Sequence, residues 1–272
     1  MIAAGASVVL TPEDNRSRWR PPRWLRRAAG PVTLLAAWSV ASTTGLLPPE
    51  VLASPSDVAA AGGRLLASGE LVTAIGVSGQ RVGLGFALGT AVAVVLALLA
   101  GLFRLGEDLI DSSVGMIRTI PWVGLIPLLI IWLGIDEAPK VALVALAVTF
   151  PLYFNLYGGI RSVDAALIEA GRVLGMSRAG LVRHVVLPAA APSALVGLRY
   201  ALGGAWLALV FGEQVNASAG IGYLMNNARE FYRTDVIVVC LVVYAALGLF
   251  CDLVVRLAGR HLLTWRDSFD GT

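Results

Sequence analysis

Charge is scarce in this chain. Only 14% of its 272 residues are Asp, Glu, Lys or Arg, against about 25% in ordinary soluble domains. With a mean hydropathy of +0.77, the shortage excludes a surface that faces water all round, and with it a soluble enzyme. Lysine is almost missing. Lys140 is the single one, so no Gly-x-x-x-x-Gly-Lys-Ser/Thr phosphate loop can be written anywhere and the chain is not expected to be an ATPase. The two cysteines, Cys240 and Cys251, share one apolar run and offer no disulfide framework. His184 and His261 lie far apart without Cys or carboxylate at ligand spacing, which leaves no material for a metal site. Neither a Ser/His/Asp set nor paired carboxylates at depth can be found, so a membrane enzyme is disfavoured.

What is present is basic and apolar. The net charge is +3 and the pI about 9.1, but the basic residues are unevenly spread: Arg16, Arg18, Arg20, Arg23, Arg26 and Arg27 crowd one segment ahead of the first apolar run. No basic patch interleaved with aromatics follows, which argues against nucleic acid. Such a cluster is a cytoplasmic topology signal.

A bilayer core of about 30 Å takes around 20 apolar residues in a helix. Six runs of that kind appear, near Ala29–Leu47, Val82–Phe103, Val114–Leu133, Val141–Ile160, Ala190–Phe211 and Val236–Leu257. The first is long for a cleaved signal peptide and is read as a retained span. Unbroken runs of this length indicate helices rather than barrel strands. The expected fold is therefore an all-α polytopic membrane protein with six transmembrane helices. A tail over residues 1–28 precedes a transmembrane domain over 29–260, and a second tail covers 261–272. With both tails inside, 14 basic residues fall on the cytoplasmic side and four on the other, with Arg81, Arg118 and Arg199 at or within spans. Gly85 and Gly89 have the spacing that lets helix backbones approach closely. Pro121 and Pro127 are expected to bend the third span.

Between the fourth and fifth runs lies Arg161–Leu187, too polar for lipid and too patterned for a linker. Helical spacing predicts a first helix near Ser162–Leu174, with Val163, Ala166, Leu167, Ala170 and Leu174 on one side, Asp164 at its N-terminus and Gly175 ending it. Ser177 then caps a second short helix running through Arg183, and Pro188 suits the first turn of the next span.

The stretch Glu169–Ala170–Gly171, then Gly175, then Val185, Leu187 and Pro188 resembles the EAA loop of ATP-binding cassette importers. That pattern is Glu-Ala-Ala, three residues, Gly, nine residues, Ile-x-Leu-Pro, and Gly171 and Val185 are the departures. The resemblance runs from about Leu52 to Phe269 and is greatest to permeases for aliphatic sulfonates, taurine and nitrate. It is carried also by Ser54–Pro55–Ser56, Arg118–Thr119–Ile120–Pro121, Ile126–Pro127–Leu128, Gly197–Leu198–Arg199–Tyr200, Gly220–Ile221–Gly222–Tyr223 and Arg233–Thr234–Asp235–Val236. It implies the transmembrane domain of a type I importer in a bacterial inner membrane, built from a permease dimer, two ATPase subunits that bind ATP and Mg, and an external solute-binding protein. It also implies that Glu169, Ala170, Gly171, Gly175, Met176, Ser177, Leu187 and Pro188 couple the permease to its ATPase.

Candidates for an anion path or gate are Arg118, Pro121, Arg199, Glu213, Gly220 and Gly222. A charge at bilayer centre costs about 2.5–3.5 kcal/mol. Arg81 is expected to snorkel at the outer end of the second span and Arg118 near the inner end of the third. Arg199 falls well inside the fifth and should face protein or water. Glu213, Gln214 and the Gly220–Gly222 segment are expected to form the outer gate and meet the binding protein. Asp252 and Arg256, four apart, should pair on the last helix. The competing reading is a secondary transporter of small anions, which calls for an acid or histidine at mid-span; none is evident.

Overall fold

A computed structural model describes residues 23–262, so most of each tail expected over residues 1–28 and 261–272 lies outside the described residues. The first helix, α1 (Arg23–Thr43), already includes part of the arginine cluster. Helix α2 (Pro55–Ala67) starts where Ser54 Oγ accepts from the Asp57 amide and Pro55 occupies the first turn, where its missing N–H costs nothing.

Three helices form the core: α3 (Glu70–Leu102), α6 (Ala138–Arg161) and α8 (Arg178–Val215), with α6 in the middle. On α3 the buried side is a ladder of small residues, Ser78, Gly85, Gly89, Ala93, Ala97 and Ala100, while Leu84, Leu88, Val95 and Leu99 face outward. This arrangement suits lipid, because backbones that approach closely gain packing and large apolar side chains on the outside cost nothing in hydrocarbon. A Cβ at Gly85 would lie 2.6 Å from Val144 Cβ, and one at Gly89 2.5 Å from the Ala145 carbonyl oxygen. Only glycine lets α3 and α6 meet there.

Four helices are long and apolar enough to cross a membrane, namely α3, α6, α8 and α10 (Thr234–Leu262), and a fifth span results if α4 (Arg104–Ile117) and α5 (Trp122–Leu133) count as one. Four or five spans, rather than six, are therefore seen among the described residues. Helix α3 begins at Glu70, well before the expected Val82, because Thr73, Ser78 and Arg81 lie inside the helix instead of flanking it.

α4 and α5 meet at 86°. The break falls at Pro121, which is extended at ψ 108° and has no N–H to continue the ladder. Pro127, expected to bend the span as well, sits in the first turn of the α-helical part of α5 and bends nothing. α4 contains a π turn over Glu107–Asp111 and is tied to α6 by polar contacts: Tyr157 Oη donates to Glu107 at 3.2 Å, Arg161 pairs with Glu107 at 3.0 Å, and Tyr153 Oη donates to Asp111 at 3.1 Å. Between α6 and α8 lies the short helix α7 (Ala165–Val173), and α9 (Ile221–Glu230) precedes α10. The end of the bundle that carries α7 is called lower below, and the end that carries α9 upper.

Candidate coupling loop and solute path

At the lower end, Asp164 caps α7 by accepting from the Ala166 amide at 2.9 Å. The other end of α7 is closed by two backbone bonds, Met176 N–H to the Gly171 carbonyl at 3.0 Å and Gly175 N–H to the Arg172 carbonyl at 2.9 Å. That pair is the Schellman closure, and it needs Gly175 at φ +77°. Ser177 Oγ then accepts from the Gly180 amide at 3.1 Å and starts the next helix at once. Every turn of the connection is capped, so α7 is held as a stiff projection. An alanine at 175 is expected to lower stability by about 1–2 kcal/mol through left-handed strain, and Ser177→Ala by about 1 kcal/mol. Thermal unfolding in detergent reads both.

One expectation for this loop needs correction. The second short helix is not separate, because residues from Arg178 onward run unbroken into the long α8. Pro188 lies inside it. Having no N–H for the His184 carbonyl, Pro188 is passed by a π turn over Val182–Val186, in which the Leu187 N–H reaches Val182. The apolar side of α7 is not the side that packs. Gly171 is buried against Leu181, whose Cδ2 stands 2.5 Å from where a Cβ would lie, so an alanine there would have to displace the Leu181 side chain. Leu167 and Leu174 are instead exposed, Leu174 at 78% and its neighbour Val173 at 88%. Glu169 and Ala170 share the exposed side, Met176 and Leu187 are each a little over one-third exposed, and Pro188 is half-buried.

At the upper end the structure holds a charged cluster that the sequence reading missed. Arg81, expected to snorkel, is 4% exposed. Its Nη1 donates to Glu213 Oε1 and to the Ala219 carbonyl, both at 2.6 Å, its Nη2 donates to Glu137 Oε1 at 2.7 Å, and its Nε donates to Glu137 Oε2. Glu213 is 1% exposed and also accepts from Ser78 Oγ at 2.7 Å, the Gly222 amide at 2.7 Å and Tyr244 Oη at 3.3 Å. A buried carboxylate with this many donors is satisfied as an anion. The cluster joins α3, α6, α8, α10 and the segment leading into α9. Gly220, at φ +114°, and Gly222 let that segment close over Glu213, since a Cβ on Gly222 would stand 2.5 Å from Glu213 Cβ.

Of the path candidates, Glu213, Gly220 and Gly222 are thus brought together, but as a buried clasp. The segment expected to meet a binding protein is covered, with Ile221 at 0% exposure, whereas Phe231 and Tyr232 just beyond it stand exposed. Glu137, at the water-facing end of α6, is held below the ordinary carboxylate range chiefly by its hydrogen bond from Arg81. Because its folded pKa is depressed, its contribution to stability is complete above the ordinary carboxylate pKa and is lost as pH falls through the depressed value. Acidification through that window is expected to lower the melting temperature of the wild type more than that of Glu137→Gln. Equal falls would contradict the assignment.

Arg118 and Arg199 lie elsewhere and on separate partners. Arg118 ends α4 beside the Pro121 break, and its guanidinium covers the Phe154 ring at 4.5 Å. It is exposed and makes no ion pair among the described residues. Arg199 pairs with Asp252 at 2.5 Å, and Asp252 with Arg256 at 2.9 Å. Glu213 stands at the upper end of α8 and Asp252 inside α10, neither at mid-span. Both are neutralised by arginine, so neither is a free proton carrier of the kind a secondary transporter requires.

The family described as binding-protein-dependent transport system inner membrane component matches residues 89–264. This chain belongs to it. Among curated relatives of this inner membrane component, the SsuC proteins of Escherichia coli (strain K12) and Bacillus subtilis (strain 168) bear the name aliphatic sulfonates transport permease. The first is 45% identical over 91% of this chain and 95% of its own length, and the second 38% over 100% of both. The E. coli taurine transport system permease protein TauC is 31% identical over 94% of this chain and 96% of its own length. Among solved structures, an amino acid ABC transporter crystallised with histidines superposes at a TM-score of 0.59 and 18% identity, covering 73% of this chain and 97% of that one. Inward-facing MetNI methionine ABC transporter superposes at 0.51 and 21% identity, covering 71% and 95%. These two likenesses concern the fold. In this inner membrane component the clasp was hidden from sequence reading because Arg81 stands at the edge of its apolar run. The missed signal was that Glu137 and Glu213 each stand beside an apolar run too, leaving three charges to be placed at the upper ends of helices that pack together.

Proposed function

We propose that this chain is the permease subunit of an ATP-driven importer for a small anion of the alkanesulfonate or taurine class. The observation that carries the coupling half of this reading is α7, a helix capped at both ends that presents Val173 and Leu174 almost fully to its surroundings. Leaving such side chains in water is unfavourable by about 1.5–3 kcal/mol each, which favours a protein partner there. A stiff projection transmits a rigid-body displacement where a floppy loop would absorb it. The partner is a pair of ATPase subunits supplying ATP and Mg chemistry, and the coupling set comprises Glu169, Ala170, Gly171, Gly175, Met176, Ser177, Leu187 and Pro188. The lower end and both tails face the cytoplasm, in line with the distribution of basic residues.

The solute follows the exposed face near the Pro121 break, where Arg118 supplies a positive charge without a carboxylate partner. Arg199 and Arg256 share one carboxylate and leave a second surplus of positive charge. Two copies of the chain enclose the path. The external binding protein rests on the upper end, where Phe231 and Tyr232 protrude, and the Glu213, Gly220 and Gly222 clasp fixes that end. Sulfonate specificity rests on the names of the relatives and on the arginines. The test is uptake in cells that lack other sulfonate permeases and carry this chain with its neighbouring ATPase and binding protein. Labelled alkanesulfonate is expected to accumulate and a sugar of equal size is not; accumulation of the sugar alone would refute the anion assignment.

A further inference from the structure

At the lower end a cavity of about 1090 Å³ separates α7 and the start of α8 from the ends of α3 and α6. Its lining is of two kinds. Leu102, Phe103 and Ile168 make an apolar wall, and Arg161, Arg172 and Arg178 bring three positive charges. Glu107 neutralises Arg161 at 3.0 Å. Arg172 and Arg178 make no ion pair among the described residues, so the cavity keeps two uncompensated charges. It opens where α3 leaves its apolar run: Phe103 is 60% exposed, and it is followed at once by Arg104.

We infer that this cavity holds the headgroup of an acidic phospholipid, with Arg172 and Arg178 on the phosphate and an acyl chain along Leu102 and Phe103. Guanidinium groups match phosphate oxygens two bonds at a time. Basic pockets between helices at the cytoplasmic face are where such headgroups bind. Charge complementarity excludes the arginine-rich N-terminal segment of this chain as occupant, and the apolar wall distinguishes a lipid from a free anion. The bound lipid fills the space behind α7, so that motion imposed on α7 reaches α3 and α6 instead of closing an empty gap. The inference rests on the cytoplasmic placement of the lower end, since acidic lipid is concentrated in that leaflet.

The test uses the complete transporter, permease with its ATPase subunits, in nanodiscs of phosphatidylcholine with or without phosphatidylglycerol, read by native mass spectrometry. Phosphatidylglycerol is expected to remain on the wild type. Its affinity should fall about fivefold for each of Arg172→Gln and Arg178→Gln, and not for Arg183→Gln, which lies outside the cavity lining. Both nanodisc leaflets carry the same lipid, so binding is read whichever way the chain faces; labelling of Leu174→Cys from one side of sealed vesicles tests the orientation separately. A Phe103→Trp variant keeps all the arginines, and bromine-labelled phosphatidylglycerol should quench it more than bromine-labelled phosphatidylcholine. Equal retention by wild type and the double variant, equal quenching by the two lipids, or loss of the lipid whenever the ATPase is bound would each overturn the inference.

Discussion

Arg81→Met is expected to cost about 3–5 kcal/mol, because it leaves the Glu213 carboxylate buried without its cation. In a chain of this length that lowers the melting temperature in detergent by on the order of 10 °C. Uptake should fall to background, since the segment leading into α9 loses the contact between Arg81 and the Ala219 carbonyl that holds it over the bundle. The two carboxylates around Arg81 differ in what they lose. Glu137 is 56% exposed and can recover water, whereas Glu213 side-chain exposure is 0%. Glu137→Gln should therefore cost no more than about 1 kcal/mol.

A second substitution separates charge burial from simple loss of packing. If the cost of Arg81→Met comes from a stranded anion, Arg81→Met with Glu213→Gln should be more stable than Arg81→Met alone, because the amide still accepts from Gly222 N–H and can still bond Ser78. Additive destabilisation in the double variant would show that the two side chains do not act as a pair.

Val173→Asp with Leu174→Asp should leave the isolated permease intact and stop transport. Both side chains are exposed in the free chain, at 88% and 78%, so the folded state loses little, within about 0.5 kcal/mol per site. On docking, the same positions would carry carboxylates into a contact that excludes water. Loss of one well-packed contact of this kind costs about 2 kcal/mol or more, which is about thirtyfold in affinity, and two adjacent charges exceed it. Membrane insertion and melting temperature should match the wild type, while co-purification of the ATPase and ATP-dependent uptake are lost. Unchanged co-purification and uptake would show that α7 is a surface helix lying along the membrane.

The parts of the fold that were legible in the sequence follow from local rules. Long apolar runs located α6 and α10 to within a turn or two, whereas α8 starts twelve residues before the expected Ala190, and the caps at Asp164, Ser177 and Gly175 were readable because each depends on a side chain or a glycine at one position. The Gly85 and Gly89 spacing marked the contact of α3 with α6. The illegible parts depend on partners distant in sequence. Which face of α7 packs was not readable, because its periodic apolar face stays exposed and the face that packs is anchored by a glycine. Pro121 and Pro127 looked alike, and only their position relative to a helix start distinguished breaking from capping. Arg81 looked like an end residue until Glu137 and Glu213, far along the chain, were placed around it.

The central claim is that this chain is a gate moved by ATPase subunits docked at α7. Its most direct test is uptake into proteoliposomes that contain the permease and its ATPase, with the binding protein outside and ATP either enclosed or omitted. The account predicts solute accumulation only with enclosed ATP, with both partners present, and undiminished when ion gradients are collapsed. Accumulation by the permease alone, driven by an imposed ion gradient, would contradict it.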